Sequence, residues 1–232
     1  MVRFAMFVAV RAGPILVLGL AAALAPVAVR ADAADDQYAV AAGLYARKQW
    51  KLAAEEFKGF LKDYPAHPQA STSRFLLAEA QLQLGQFDEA RTNFLDYLAR
   101  EPEGQFARSA LFRSGEAACL ADKPQQAEGP LKQFLAKYPD DGLGAYALPY
   151  LGDIALAKKD YAAAEKCYRQ GLAKFPRGLL QDDCRFGLAR ALEQQGQNEE
   201  ALRLYLAVAG KPGTPLADDA QFRLGALEYA LG

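Results

Sequence analysis

The sequence predicts an all-α solenoid built from stacked helix pairs. Three observations carry this. One residue pattern recurs five times at a 37-residue interval. Each copy holds two stretches with apolar residues at helical spacing. No segment alternates apolar and polar residues at period two, so strands are not expected.

The second stretch of each copy defines the repeat best. Trp50, Ala53, Phe57 and Leu61 fall at i, i+3, i+7 and i+11, one face of a helix, and Pro65 closes it. The counterparts are Phe87, Ala90, Phe94, Leu98 and Pro102, then Pro124, Ala127, Leu131, Leu135 and Pro139. Tyr161, Ala164, Tyr168, Leu172 and Pro176 follow, and then Asn198, Ala201, Tyr205 and Ala209, with Pro212 one place early. The recurring alanine marks a close approach of two helices, and the large residue four places on fills the space beside it. The first stretch carries a small residue after Leu or Ser: Leu77-Ala78, Ser114-Gly115, Leu151-Gly152, Leu188-Ala189 and Leu224-Gly225. Gly85 and Gly196 sit in the short turns between stretches. The copies run 34–70, 71–107, 108–144, 145–181 and 182–217, with a partial sixth at 218–232. Ten helices in five antiparallel pairs are expected, plus one more at about 216–231. A pair of this kind cannot bury its apolar face alone, so neighbours stack.

Residues 1–33 differ in kind. Arg3 and Arg11 precede an apolar run from Pro14 to Val29, then the small-x-small pattern Ala31-Asp32-Ala33 and acidic Asp35 and Asp36. That order describes a secretory signal peptide cleaved after Ala33, with an uncleaved anchor as the alternative. The 16-residue run is short for a spanning helix and is interrupted by Pro26, so no span is expected after cleavage. Removing Arg3, Arg11, Arg30 and Asp32 takes the formal charge from -1 to -3. The expected compartment is the periplasm or the cell exterior.

Composition removes several chemistries. The near-neutral balance of 27 basic and 28 acidic residues argues against a nucleic-acid surface. A single histidine excludes most His-based metal sites and triads, and there is no phosphate-binding Gly loop, Gly-x-Ser-x-Gly elbow or His-Glu-x-x-His. No catalytic residue, cofactor or metal is expected. His67, between Pro65 and Pro68, reads as a loop residue. Asp140-Asp141, Asp182-Asp183 and Asp218-Asp219 precede helices and read as caps and dipole partners. Cys119, Cys167 and Cys184 form no CxxC; Cys167 and Cys184 lie on helices that should touch, which leaves a bond or free thiols open.

Leu-Gly or Leu-Ala in one helix, then aromatic-x-x-Ala-x-x-x-aromatic and a closing Pro, resembles the tetratricopeptide repeat over residues 34–232. The 37-residue period and the closings Tyr64-Pro65, Tyr138-Pro139 and Phe175-Pro176 resemble a bacterial cell-envelope subgroup. That subgroup includes the periplasmic coordinator of the Tol–Pal system and the lipoprotein of the outer-membrane barrel-assembly machine. The resemblance implies a right-handed superhelix and a non-catalytic scaffold that binds a protein or peptide in a groove lined by the first helices. An assembly or chaperone-like factor, or the recruiting module of a larger exported protein, is the alternative.

On the first helices an aromatic position recurs as Tyr38, Phe75, Phe112, Phe186 and Phe222, with Pro149 in the fourth copy. Four residues on stand Ala42, Glu79, Glu116, Asp153 and Arg190. By the family pattern both positions face the groove, giving aromatics beside acids for a peptide with apolar anchors and Lys or Arg. The competing reading packs the aromatics between repeats and leaves the acids solvated. In the last helix, Leu224, Leu227, Tyr229 and Leu231 leave an apolar strip expected to serve as a contact surface, self-association included, rather than as a cap.

Overall fold

The computed structural model describes residues 33–232 apart from Pro212, Thr214 and Gly232. All of the expected signal segment except Ala33 lies outside the described residues, as does Pro212. Among the described residues every regular element is an α-helix, and there are eleven.

Two compact units divide the chain at Gly104 and Gln105. The first holds α1 (Ala33–Ala46), α2 (Trp50–Asp63), α3 (Ala70–Gln83) and α4 (Phe87–Arg100). The second holds α5 (Ala107–Leu120), α6 (Pro124–Lys137), α7 (Gly144–Ala157), α8 (Tyr161–Lys174), α9 (Gln181–Gln194), α10 (Asn198–Ala209) and α11 (Pro215–Leu231). The starts of α1, α3, α5, α7 and α9, and those of α2, α4, α6, α8 and α10, are 37 residues apart, as the repeat requires.

Each helix packs on the next in sequence within its unit. First helices also touch first helices: α1 on α3 in one unit, and α5 on α7, α7 on α9 and α9 on α11 in the other. One layer of the second unit is therefore α5, α7, α9 and α11, backed by α6, α8 and α10. Ala53, Ala90, Ala127, Ala164 and Ala201 are fully buried, as are Phe57, Phe94, Leu131, Tyr168 and Tyr205 four places on. Burying each large side chain contributes about 1.5–3 kcal/mol.

The boundaries have local causes. At the ends of α2, α4, α6 and α8, Tyr64, Glu101, Tyr138 and Phe175 leave the helix at φ -124 to -131. A proline follows each, and proline pushes the residue before it out of the helical region. Between paired helices, the residues at 48, 85, 122, 159 and 196 all take positive φ, from 57 to 74. Their N–H groups donate to the carbonyl three residues back, and the next N–H reaches five back, as Lys159 to Leu156 and Asp160 to Ala155 do. Glycine fills this left-handed position in two copies; Lys48, Asp122 and Lys159 fill it in the others.

Candidate functional site

In the second unit a second-helix tyrosine crosses the layer. Tyr168 of α8 is fully buried, and its ring passes between Gly152 of α7 and Gly187 of α9. A Cβ at Gly152 would stand 2.5 Å from the ring and one at Gly187 2.3 Å, so neither position accepts a side chain. The ring delivers its hydroxyl to the first-helix face, where it donates to Asp153 Oδ1 at 2.6 Å. Burial pushes the Asp153 carboxyl up to about 6, against the Tyr168 hydrogen bond and the nearby charge of Arg190, while Asp183 adds a further upward push. Burial, and then the Asp153 charge, raises the Tyr168 phenol well above its usual range.

The arrangement repeats one pair further on. Tyr205 of α10 donates to Glu193 Oε2 at 2.6 Å, and Arg223 of α11 stands 3.4 Å from Glu193 Oε1. One pair earlier, Arg113 and Glu116 of α5 pair at 2.5 Å, both buried. Tyr150 of α7 is buried near both; burial and then the Glu116 charge raise its phenol. Burial also pushes the Cys119 and Cys184 thiols up to about 12, so both stay protonated and unreactive at neutral pH. The first-helix face of this unit thus carries a buried to half-buried polar row: Arg113, Glu116, Asp153, Arg190, Glu193 and Arg223.

In the first unit the large second-helix residues are phenylalanines, which carry no hydroxyl across the layer. Phe75 of α3 packs on Phe94 at 5.7 Å and on Tyr97 at 5.8 Å between ring centroids. Tyr38 of α1 leans on Phe57 and Phe60 at 6.4 and 5.8 Å. Its polar contacts run between helices: Arg74 pairs with Asp96, and Asn93 Nδ2 donates to Gln81 at 2.7 Å.

These placements correct the groove expectation. Phe75 and Phe112 are buried, Phe112 against Phe134 at 5.6 Å, and half-buried Phe186 stands edge-on to Tyr205 at 5.7 Å. They supply core because each lies opposite the aromatic or leucine of its own second helix. Phe222 alone is widely exposed. Glu79 and Glu116 are buried, while Asp153 and Arg190 are half-buried. The acids do not form one open stripe. Sequence reasoning missed Arg113, Tyr150, Glu193 and Arg223, and took Tyr168 and Tyr205 for filler; glycine at 187, where other copies have Leu76, Arg113 and Tyr150, was the signal for the crossing ring.

Other candidates settle simply. His67 Nδ1 accepts from the Gln69 N–H at 3.2 Å, and its ring stands edge-on to Phe60 at 5.4 Å. Asp182 lies in the first turn of α9 rather than at its cap, and holds Arg185 and Lys211. Asp141 accepts from the Leu143 N–H at 2.9 Å just before α7. All three cysteines are free thiols. Among the described residues no group of three or more His, Cys, Asp or Glu could hold a metal ion, and no helix is long and apolar enough to cross a membrane.

Comparison with solved structures shows the fold. A tetratricopeptide repeat protein from Parabacteroides merdae superposes with a TM-score of 0.66 at 16% identity, covering 83% of this chain and 73% of that one. YrrB, described as a TPR protein with an unusual peptide-binding site, gives 0.65 at 15% identity over 81% and 91%. PilF of Pseudomonas aeruginosa gives 0.64 at 16% identity over 82% of each. A search of curated protein sequences gives no match. The sequence model of the tetratricopeptide repeat matches residues 38–105, 75–142, 121–178 and 186–232. The 37-residue helix pairs, the buried alanine seam and this match across most of the chain agree: the chain belongs to the tetratricopeptide repeat family.

Proposed function

We propose that the protein is a non-catalytic scaffold of the bacterial cell envelope, exported on its N-terminal signal and working in the periplasm. It holds a protein or peptide partner on the first-helix face of the second unit. The observation that carries this is the pair of half-buried, opposite charges at Asp153 and Arg190, set on a rigid backing by the Tyr168 hydroxyl. Such a pair suits a segment of mixed charge, and YrrB, of the same fold, is described as having a peptide-binding site. The cell-envelope resemblance of the 37-residue period supports the compartment. Two experiments test the reading. A photo-crosslinking residue at position 190 should capture a partner in living cells, whereas one at exposed position 162 on α8 should not. Equal capture at both positions would remove the face from consideration. N-terminal sequencing of the envelope-resident protein should begin at Ala34, and a chain that stays in the cytosol would end the envelope assignment.

A further inference from the structure

We infer that the segment held on the first-helix face of the second unit is anchored by a negative charge, and that Arg190 takes one of its side-chain carboxylates. This rests on the scaffold reading above and narrows it, because it assigns the sign of the charge that does the anchoring.

The acids of the row are already bonded within the chain. Glu116 pairs with Arg113 at 2.5 Å. Asp153 Oδ1 accepts from the Tyr168 hydroxyl at 2.6 Å. Glu193 accepts from the Tyr205 hydroxyl at 2.6 Å and holds Arg223 at 3.4 Å. Arg113 and Arg223 are thus spent on acids. Arg190 is not: among the described residues it donates no hydrogen bond and has no ion pair within 4.0 Å. Its charge is felt at Asp153, at Tyr168 and at Tyr205, so it stands between the two crossing hydroxyls.

The crossing tyrosines explain why this cation is left over. Each hydroxyl gives its hydrogen to an acid, so neither acid needs Arg190. One pair earlier α6 carries Leu131 at the tyrosine position, no hydroxyl arrives from the second helix, and Glu116 takes Arg113 instead. A guanidinium offers five N–H donors in a planar fork that fits a carboxylate with two bonds. Arg190 is half-buried, so less water competes for those donors than on an open surface. A basic segment would find Asp153 and Glu193 already bonded, and would meet Arg190 and Arg223 with like charge.

The test pans a display library of random dodecapeptides against the full chain near neutral pH, and measures the enriched peptides by fluorescence anisotropy. Asp and Glu should be enriched over Lys and Arg. Arg190→Gln should weaken binding about tenfold or more. Asp153→Asn should strengthen it several-fold, since the asparagine oxygen still accepts from Tyr168 while the competing negative charge is gone. A damaged fold would weaken binding in both variants, so the opposite signs identify recognition of charge. Arg203→Gln, at an exposed cation of α10, should leave affinity unchanged. Enriched peptides that are neutral or basic, or that weaken with Asp153→Asn, overturn the inference and leave the face as the binding site. Peptides indifferent to both Arg190 and Asp153 overturn the inference and the face together. A library that enriches nothing overturns the inference too, while capture at position 190 in cells still decides the face on its own.

Discussion

Residues 33–104 and 105–232 put one repeat position to different uses. In the first unit the large residue beside the buried alanine is Phe57 or Phe94. It fills space and carries nothing across. In the second unit the position starts as Leu131 and then becomes Tyr168 and Tyr205, whose rings fill the same space and end in a hydroxyl. That hydroxyl needs an acceptor on the far side of the layer, and Asp153 and Glu193 supply it. Tyr168 also needs room, and Gly152 and Gly187 supply that, where the first unit has Ala78 and Leu76. The second unit thus sets two tyrosine hydroxyls against the carboxylates of Asp153 and Glu193, where the first unit has phenylalanine at the same repeat position.

The largest effect should come from importing the first unit's residue into the second. Gly187→Leu copies Leu76, but its Cβ lands on the Tyr168 ring, so a loss of about 3 kcal/mol is expected in denaturant melts. A loss below about 1 kcal/mol would show that the ring does not set the glycine. Next in size, Tyr168→Phe turns the second unit's filler into the first unit's. It removes a buried hydrogen bond to a carboxylate and should cost about 2 kcal/mol at pH 8. Tyr205→Phe should behave alike, and a neutral result for both would reduce the hydroxyls to bystanders.

Asp153 gives the second unit a pH dependence of definite sign. Its folded pKa of about 6 lies above the 3.8 of an ordinary aspartate, so the folded state holds the proton longer. Stability from that proton is full below about pH 4 and is lost as pH rises to about 6. Discounted for the half-exposed side chain, the change should be about 1–2 kcal/mol. Partnered carboxylates such as Glu128, Glu165 and Glu200 are held low and shift stability the other way. The measurement is therefore the difference between the parent and Asp153→Asn across pH 4 to 7. A flat difference would mean that Asp153 titrates normally.

Much of this was legible before any coordinates. The 37-residue alanine and proline series located every helix pair, because small seams and helix stops are set by local sterics that each copy must satisfy. The face was less legible. Phe75 and Phe112 share a helix side with Glu79 and Glu116, and spacing cannot tell a residue that points outward from one that turns into its own pair. The Tyr168–Asp153 and Tyr205–Glu193 contacts join residues 15 and 12 apart on different helices, so no single-helix pattern contains them. Gly152 and Gly187 were the local signs, glycines in mid-helix where intrinsic preference disfavours them.

The smallest effect should be the same in both units, which makes it the control for the contrast. Lys48 in the first unit and Lys159 in the second sit at φ 59 and 60, where a Cβ crowds the backbone, while Gly85 and Gly196 occupy the equivalent turns at 73 and 74 without that crowding. The turn hydrogen bonds are the same in all four, so the backbone is already in place for glycine. Lys48→Gly and Lys159→Gly should each stabilise the protein by about 0.5–1 kcal/mol, part of the relief being offset by glycine's greater freedom in the unfolded chain. Gly85→Lys and Gly196→Lys should lose a similar amount. Because these turns lie at the helix ends, away from the crossing tyrosines, the gains should be unchanged in a Tyr168→Phe background. Gains that differ between the units, or that vanish with Tyr168→Phe, would mean that the contrast reaches beyond the first-helix face into the repeat's own turns.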